Sequence, residues 1–360
     1  MNAKIAAVLV LLLVVLGGGA LLVRQEDAAQ RPAASGTLGQ PLLKGLKAAD
    51  VASIVIREPK ATLTLARKGE QWTIVERAGY PADFDKVREF VLKALELKIV
   101  QTEPLGEKDR ARLQLDASGT AVEFLGADGK PLARYIAGKK YFKTEPEKPE
   151  TARGDGRFVL LPGDEKNVVI VSDPLAQAST KSADWVARQG FAVEGVKSLD
   201  YRPATGEGWK IERSGDNADW KLSPIKGGEK LEITRANAAS YSLNSVDLAD
   251  IAPRDLKPEA TGLDKPTTLV AVTFDGLTYT VKLGKLAGEK SGESYYAQLA
   301  IAGEPKVEGK DAEARLKKLT ERLPREKALS EHILLIAKSK FEDALKPRAD
   351  LLEPKKDAKK

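Results

Sequence analysis

The chain has 360 residues, of which 42% are hydrophobic and 31% charged, with no cysteine, one histidine and one methionine. This composition belongs to a globular protein with an ample core; it excludes disulfides, thiol nucleophiles, zinc ribbons and iron–sulfur clusters, and a single histidine excludes a multi-histidine metal site. Lysine and arginine number 58 against 52 acidic residues, a net charge of +6, and the two signs interleave without a basic stripe or accompanying aromatics, which argues against a nucleic-acid partner.

Near the start, Ile5 to Val23 carries no charge, with Lys4 before it and Arg24 after it. As a helix at about 1.5 Å per residue it spans about 28 Å, close to a hydrocarbon core of about 30 Å. The sequence therefore predicts that residues 1–24 contact a lipid bilayer through Ile5 to Val23 as a single-pass anchor. The alternative is a signal peptide, with Gly18, Gly19 and Ala20 offering a cleavage site. Either way the bulk of the chain is expected outside the cytoplasm. Residues 25–44, rich in Ala, Gln, Gly and Pro, read as a linker.

From there the pattern repeats. In the first copy Val51–Ile56 is a β-branched run, and Thr62–Leu65 and Gln71–Val75 flank a Gly69-Glu70 turn. In the second, Val196–Tyr201 is followed by Trp209–Arg213, a turn at residues 214–217, and Trp220–Leu222. Trp72 and Trp220 lie 148 residues apart. A helix is expected next in each copy. Asp83 is the first candidate cap, before a stripe of Phe84, Val87, Val91, Ala94 and Leu95. Thr234 is the second, before Ala236, Ala239, Leu243 and Val246. Each copy then turns a hairpin at Asp-Gly, Asp128-Gly129 and Asp275-Gly276, 147 residues apart. Val168–Val171 closes the first copy and Ile333–Ile336 the second, both read as strands, with a short helix expected after the second from the Ser339/Glu342 capping box.

The predicted organisation is α+β: two tandem related domains, each an antiparallel sheet with a packed helix, after one amino-terminal transmembrane helix. Residues 45–175 form the first repeat domain and 176–190 a connector with a short helix near Trp185. Residues 191–346 form the second, with a helical insertion at about 308–324 ended by Pro324, and 347–360 form a disordered basic tail.

No catalytic, cofactor-binding or metal-binding residue is predicted. His332 has no nucleophile elbow to serve, since nothing resembles Gly-x-Ser-x-Gly. The carboxylate pairs Asp83/Asp85 and Asp247/Asp250 could share acid–base work or hold a hard cation; for the first, a place at a helix start is the simpler account. The glycine clusters match no phosphate cradle and read as turns, as does the adhesion-like tripeptide Arg153-Gly154-Asp155. Trp72, Trp209 and Trp220 are expected in the core, an exposed ligand-binding row being the alternative.

The order of anchor, strand, Trp-bearing hairpin, capped helix and second hairpin, repeated and ending in Phe341–Lys346 and Ala349–Leu352, resembles the bacterial domain-of-unknown-function family 4340. Members of that family tend to be encoded beside ABC-2-type transporters and gliding-motility transport components. The resemblance implies a non-enzymatic accessory or scaffold protein, anchored once in the bacterial inner membrane with its bulk periplasmic, and ABC-type transporter subunits as partners. A periplasmic polysaccharide- or cell-wall-binding module using a groove between the repeats is the alternative. A hydrolase using paired carboxylates is a third reading.

Overall fold

The computed structural model describes residues 38–354, apart from Glu165, residues 289–291 and Lys310. The expected anchor at Ile5–Val23, most of the 25–44 linker and the end of the basic tail lie outside the described residues. Among the described residues no helix is long and apolar enough to cross a membrane.

The protein is α+β, with two antiparallel sheets and few helices. The first sheet begins with β1 (Ser53–Glu58), β2 (Ala61–Lys68), β3 (Gln71–Ile74) and β4 (Tyr80–Pro81). Helix α1 (Phe84–Glu96) follows, then β5 (Ile99–Pro104) and the short α2 (Glu107–Arg112). A meander of β6 (Thr120–Leu125), β7 (Pro131–Tyr141), β8 (Gly156–Leu160) and β9 (Asn167–Val171) completes it. The strand order is β4-β3-β2-β1-β6-β7-β8-β9-β5.

Period-two patterning explains the faces. In β6, Thr120, Val122 and Phe124 are buried while their neighbours are half-exposed. Ile54 and Ile56 of β1 pair in register with Phe124 and Val122. Phe90 of α1 stacks on Phe124 with centroids 6.1 Å apart, so the helix covers this face of the sheet. Burying each such side chain contributes about 1.5–3 kcal/mol. Asp83 caps α1 as its sequence position predicts: one carboxylate oxygen accepts the amides of Asp85 at 3.1 Å and Lys86 at 3.2 Å. Phe84, expected on the buried stripe, is 55% exposed; Val87, Phe90, Val91 and Ala94 form that stripe instead.

The second sheet opens with β10 (Val196–Arg202), β11 (Trp209–Glu212) and β12 (Lys221–Ser223). Next come α3 (Ile233–Tyr241), β13 (Asp250–Ile251) and the single-turn α4 (Pro258–Thr261). Three long strands follow, β14 (Thr267–Thr273), β15 (Thr278–Ala287) and β16 (Ser294–Ala302), then α5 (Ala312–Ala328) and β17 (Leu334–Ala337). The order is β12-β11-β10-β14-β15-β16-β17-β13. In both sheets an opening hairpin lies on one side, the strand after the main helix lies at the opposite edge, and a four-strand meander fills the space between. Gly129 and Gly276 hold φ of +75° and +82° in the two Asp-Gly turns, the backbone that glycine adopts without a Cβ clash.

Four local expectations need correction. The cap of α3 is Glu232, not Thr234; its carboxylate accepts the amides of Thr234 and Arg235, each at 3.1 Å, because a longer side chain two residues earlier reaches the same free donors. Pro324 does not end the inserted helix. It sits inside α5, exposed, and the helix runs on to Ala328 because Leu319, Leu323 and Glu326 keep its inner face buried. The Ser339/Glu342 capping box is absent: Lys338–Phe341 is a 3-10 turn without a side-chain cap, tied down by fully buried Phe341. Ordered chain also extends past the expected boundaries. Leu42 and Leu43 are buried, and Arg348–Leu351 forms a 3-10 turn in which Arg348 is held by Glu229 at 2.5 Å and by the Pro224 carbonyl at 2.7 Å.

The described chain divides into two compact units: residues 38–64 with 88–180, and residues 65–87 with 181–354. The first has Ile54, Ile56, Leu115, Phe124, Tyr135 and Ile170 at its core; the second has Ile74, Leu199, Tyr279, Leu334 and Phe341.

Candidate functional site

Within the second unit, α5 carries Leu319, Leu323 and Glu326 at helical spacing on its buried face. Leucines on such a stripe pack; a carboxylate there must find partners or pay for its desolvation. Glu326 is 1% exposed and finds three. Tyr279 of β15 donates its hydroxyl to one oxygen at 3.0 Å. The Ala192 amide donates to the other at 3.0 Å, and Arg322, one turn back on α5, brings its Nε within 3.4 Å. Phe191 stacks on Tyr279 with centroids 6.4 Å apart.

The same helix clamps the segment before β10. Arg322 donates to the Ala192 carbonyl at 3.0 Å and pairs with Glu194 at 3.3 Å. Lys318 reaches Glu194 at 3.2 Å, and Arg325 donates to the Gln189 carbonyl at 3.1 Å. Between this helix face, residues 189–192 and residues 245–247 lies a cavity of about 440 Å³. Asp247, Glu321, Arg322, Arg325 and Glu326 give it a mixed-charge lining.

Burial pushes the Glu326 carboxyl above its ordinary value, although Arg322 and the two hydrogen bonds pull the other way. Burial, and next the charge of Glu326, push the Tyr279 hydroxyl up as well, so it remains a donor. Burial alone would lower the Arg322 pKa, but Glu326 and Glu194 outweigh it and the guanidinium is held more firmly charged. Both oxygens of Glu326 are thus occupied by donors of its own chain. The cavity presents charged walls over a buried acid, each of whose oxygens already accepts one hydrogen bond.

The sequence-level candidates do not converge here. Asp83 caps α1 and its amide donates to the Trp185 carbonyl at 2.7 Å. Asp247 lines the cavity, but Asp250 on β13 accepts from the Ser182 hydroxyl at 2.6 Å and stands 3.9 Å from Arg77, so the pair does not act as one. His332 packs edge-on against Tyr80, centroids 5.0 Å apart, and burial lowers its pKa. The same burial pushes Tyr80 up to about 12. Asp155 of the adhesion-like tripeptide accepts the Lys143 amide at 2.9 Å within the loop between β7 and β8. Trp72, Trp209 and Trp220 are all buried, the last two donating to the Lys346 carbonyl and the Asn237 side chain. Among the described residues no three His, Asp or Glu side chains are grouped so as to hold a metal ion. Glu326, Tyr279 and Arg322 were not singled out from sequence; the one local signal was an acid seven residues after Leu319 and three after Leu323 on an apolar stripe.

The model of the family described as Domain of unknown function (DUF4340) matches residues 72–266, more than half of the chain, and the chain belongs to that family. No curated protein and no solved structure matches it.

Proposed function

We propose that the protein is a non-enzymatic accessory or scaffold protein of an ABC-type transport complex, held to the bacterial inner membrane by Ile5–Val23 with its bulk in the periplasm. We further infer that it is built of two tandem related domains, each an antiparallel sheet with a packed helix. The matching strand orders of the two sheets support that duplication. The observation that carries the non-enzymatic reading is the engagement of Glu326: each of its oxygens accepts a hydrogen bond from its own chain, one from Tyr279 and the other from Ala192, so the acid organises the cavity wall. The Ile5–Val23 run supports the anchor through its length and lack of charge.

The polysaccharide-binding reading gains nothing from the tryptophans, because Trp72, Trp209 and Trp220 are spent on the core.

Co-purification from neutral detergent tests the proposal. A tagged full chain is expected to recover ABC-type permease or ATPase subunits and to stay with the membrane pellet through alkaline carbonate extraction. Recovery of a lone, carbonate-soluble chain would overturn it.

A further inference from the structure

A second cavity, of about 310 Å³, lies wholly within the first unit, under the loop between β7 and β8. Its lining holds four cations, Lys93 of α1, Lys140 of β7, Arg153 of the loop and Arg157 of β8, against one carboxylate, Asp173.

Asp173, Glu89 and Glu58 are the carboxylates set against these four cations, one fewer than the cations. Arg157 donates to the Gly138 and Pro174 carbonyls, which are dipoles and not counter-charges. Lys140 donates to the carbonyls of Glu150 at 3.1 Å and Ala152 at 2.8 Å, which ties the loop over the cavity with dipoles and no counter-charge. Asp173 is engaged by the Leu175 amide at 2.6 Å. Lys93 pairs with the Glu89 carboxylate at 2.9 Å, which Gln177 shares at 3.2 Å, and Arg157 lies in the field of Glu58. Behind this lining, the hydroxyl of fully buried Tyr135, which feels the charges of Asp173 and Arg157, makes no hydrogen bond.

We propose that this cavity is an anion site for a phosphate-class group. Two arginines offer forked donors and two lysines point charges, which together suit a doubly charged oxyanion with at least three oxygens better than a single carboxylate. The phosphate can belong to a soluble molecule or to a lipid headgroup, and the experiment separates these sources.

Full-length protein in neutral detergent is titrated with inorganic pyrophosphate by calorimetry, and separately with micelles doped with phosphatidylglycerol or phosphatidylcholine. Saturable pyrophosphate binding assigns the soluble source; a response to phosphatidylglycerol without one to phosphatidylcholine or pyrophosphate assigns the headgroup. Arg153→Gln, on the exposed loop, and Lys93→Gln are each expected to weaken whichever binding is seen by about tenfold, with an unchanged unfolding midpoint. Lys318→Gln in the second unit is expected to leave it unchanged. Added salt is expected to weaken it further. No saturable response to either probe, or one that Arg153→Gln and Lys93→Gln leave intact, would overturn the proposal.

Discussion

Glu326 is a carboxylic acid placed where a leucine would ordinarily pack. Because burial raises its pKa, the folded chain binds this proton more tightly than the unfolded chain. The stability it confers is therefore present in full below the unfolded carboxylate value of about 4.3 and is lost as pH rises through the higher folded value. Glu326→Gln retains the shape of the protonated acid. It is expected to match the wild type in acid and to gain stability relative to it as the pH rises above the ordinary carboxylate range. Thermal unfolding across a pH series checks this; parallel curves would show that Arg322 and the two hydrogen bonds fully offset desolvation.

At the scale of elements, α5 is governed by tertiary contact more than by propensity. Proline in a helix interior lacks an amide to donate four residues back and costs about 3 kcal/mol relative to alanine. Pro324 is nonetheless spanned, because Leu319 and Leu323 before it and Glu326 and Leu329 after it are all buried. Its own side chain is exposed, so Pro324→Ala loses no packing and restores a donor. A higher unfolding midpoint, by scanning calorimetry, is the expected result. A lower one would mean that the proline sets a bend on which the Glu326 contacts depend.

For the molecule as a whole, the chain order of the strands and the grouping of the contacts disagree in one place. Residues 65–87, which carry β3 and β4, belong to the unit formed by residues 181–354. Ala82 bridges Val186, the Asp83 amide donates to the Trp185 carbonyl, and Ala187 donates to the Pro81 carbonyl at 3.1 Å. A fragment ending at residue 175, the expected domain boundary, would cut off these partners of β4, whereas one ending at 190 keeps them. The longer fragment, 38–190, is expected to unfold more cooperatively than 38–175, followed by circular dichroism. Equal cooperativity would show that β3 and β4 need nothing from residues 181–187.

Alternation, turn chemistry and capping made much of this architecture readable without coordinates. Val122 and Phe124 alternate with half-exposed neighbours, Asp-Gly marks both central hairpins, and Asp83 caps α1 where its spacing to the apolar stripe places it. Ile333–Ile336 falls where β17 forms, and the tryptophans lie in the core. These features are local: period, turn and cap depend on residues a few positions apart. The candidate site is not local. The Glu326 carboxylate meets a hydroxyl 47 residues away and an amide 134 residues away, and no spacing rule connects three such positions. Glu232 displaced Thr234 as a cap because reach, not residue class alone, decides which oxygen meets the free amides. What the sequence determined by itself is the kind of elements and most of their positions. Which acids are buried, which cations share a cavity and which strands exchange partners were decided by tertiary packing, because desolvation and charge pairing depend on distances in space.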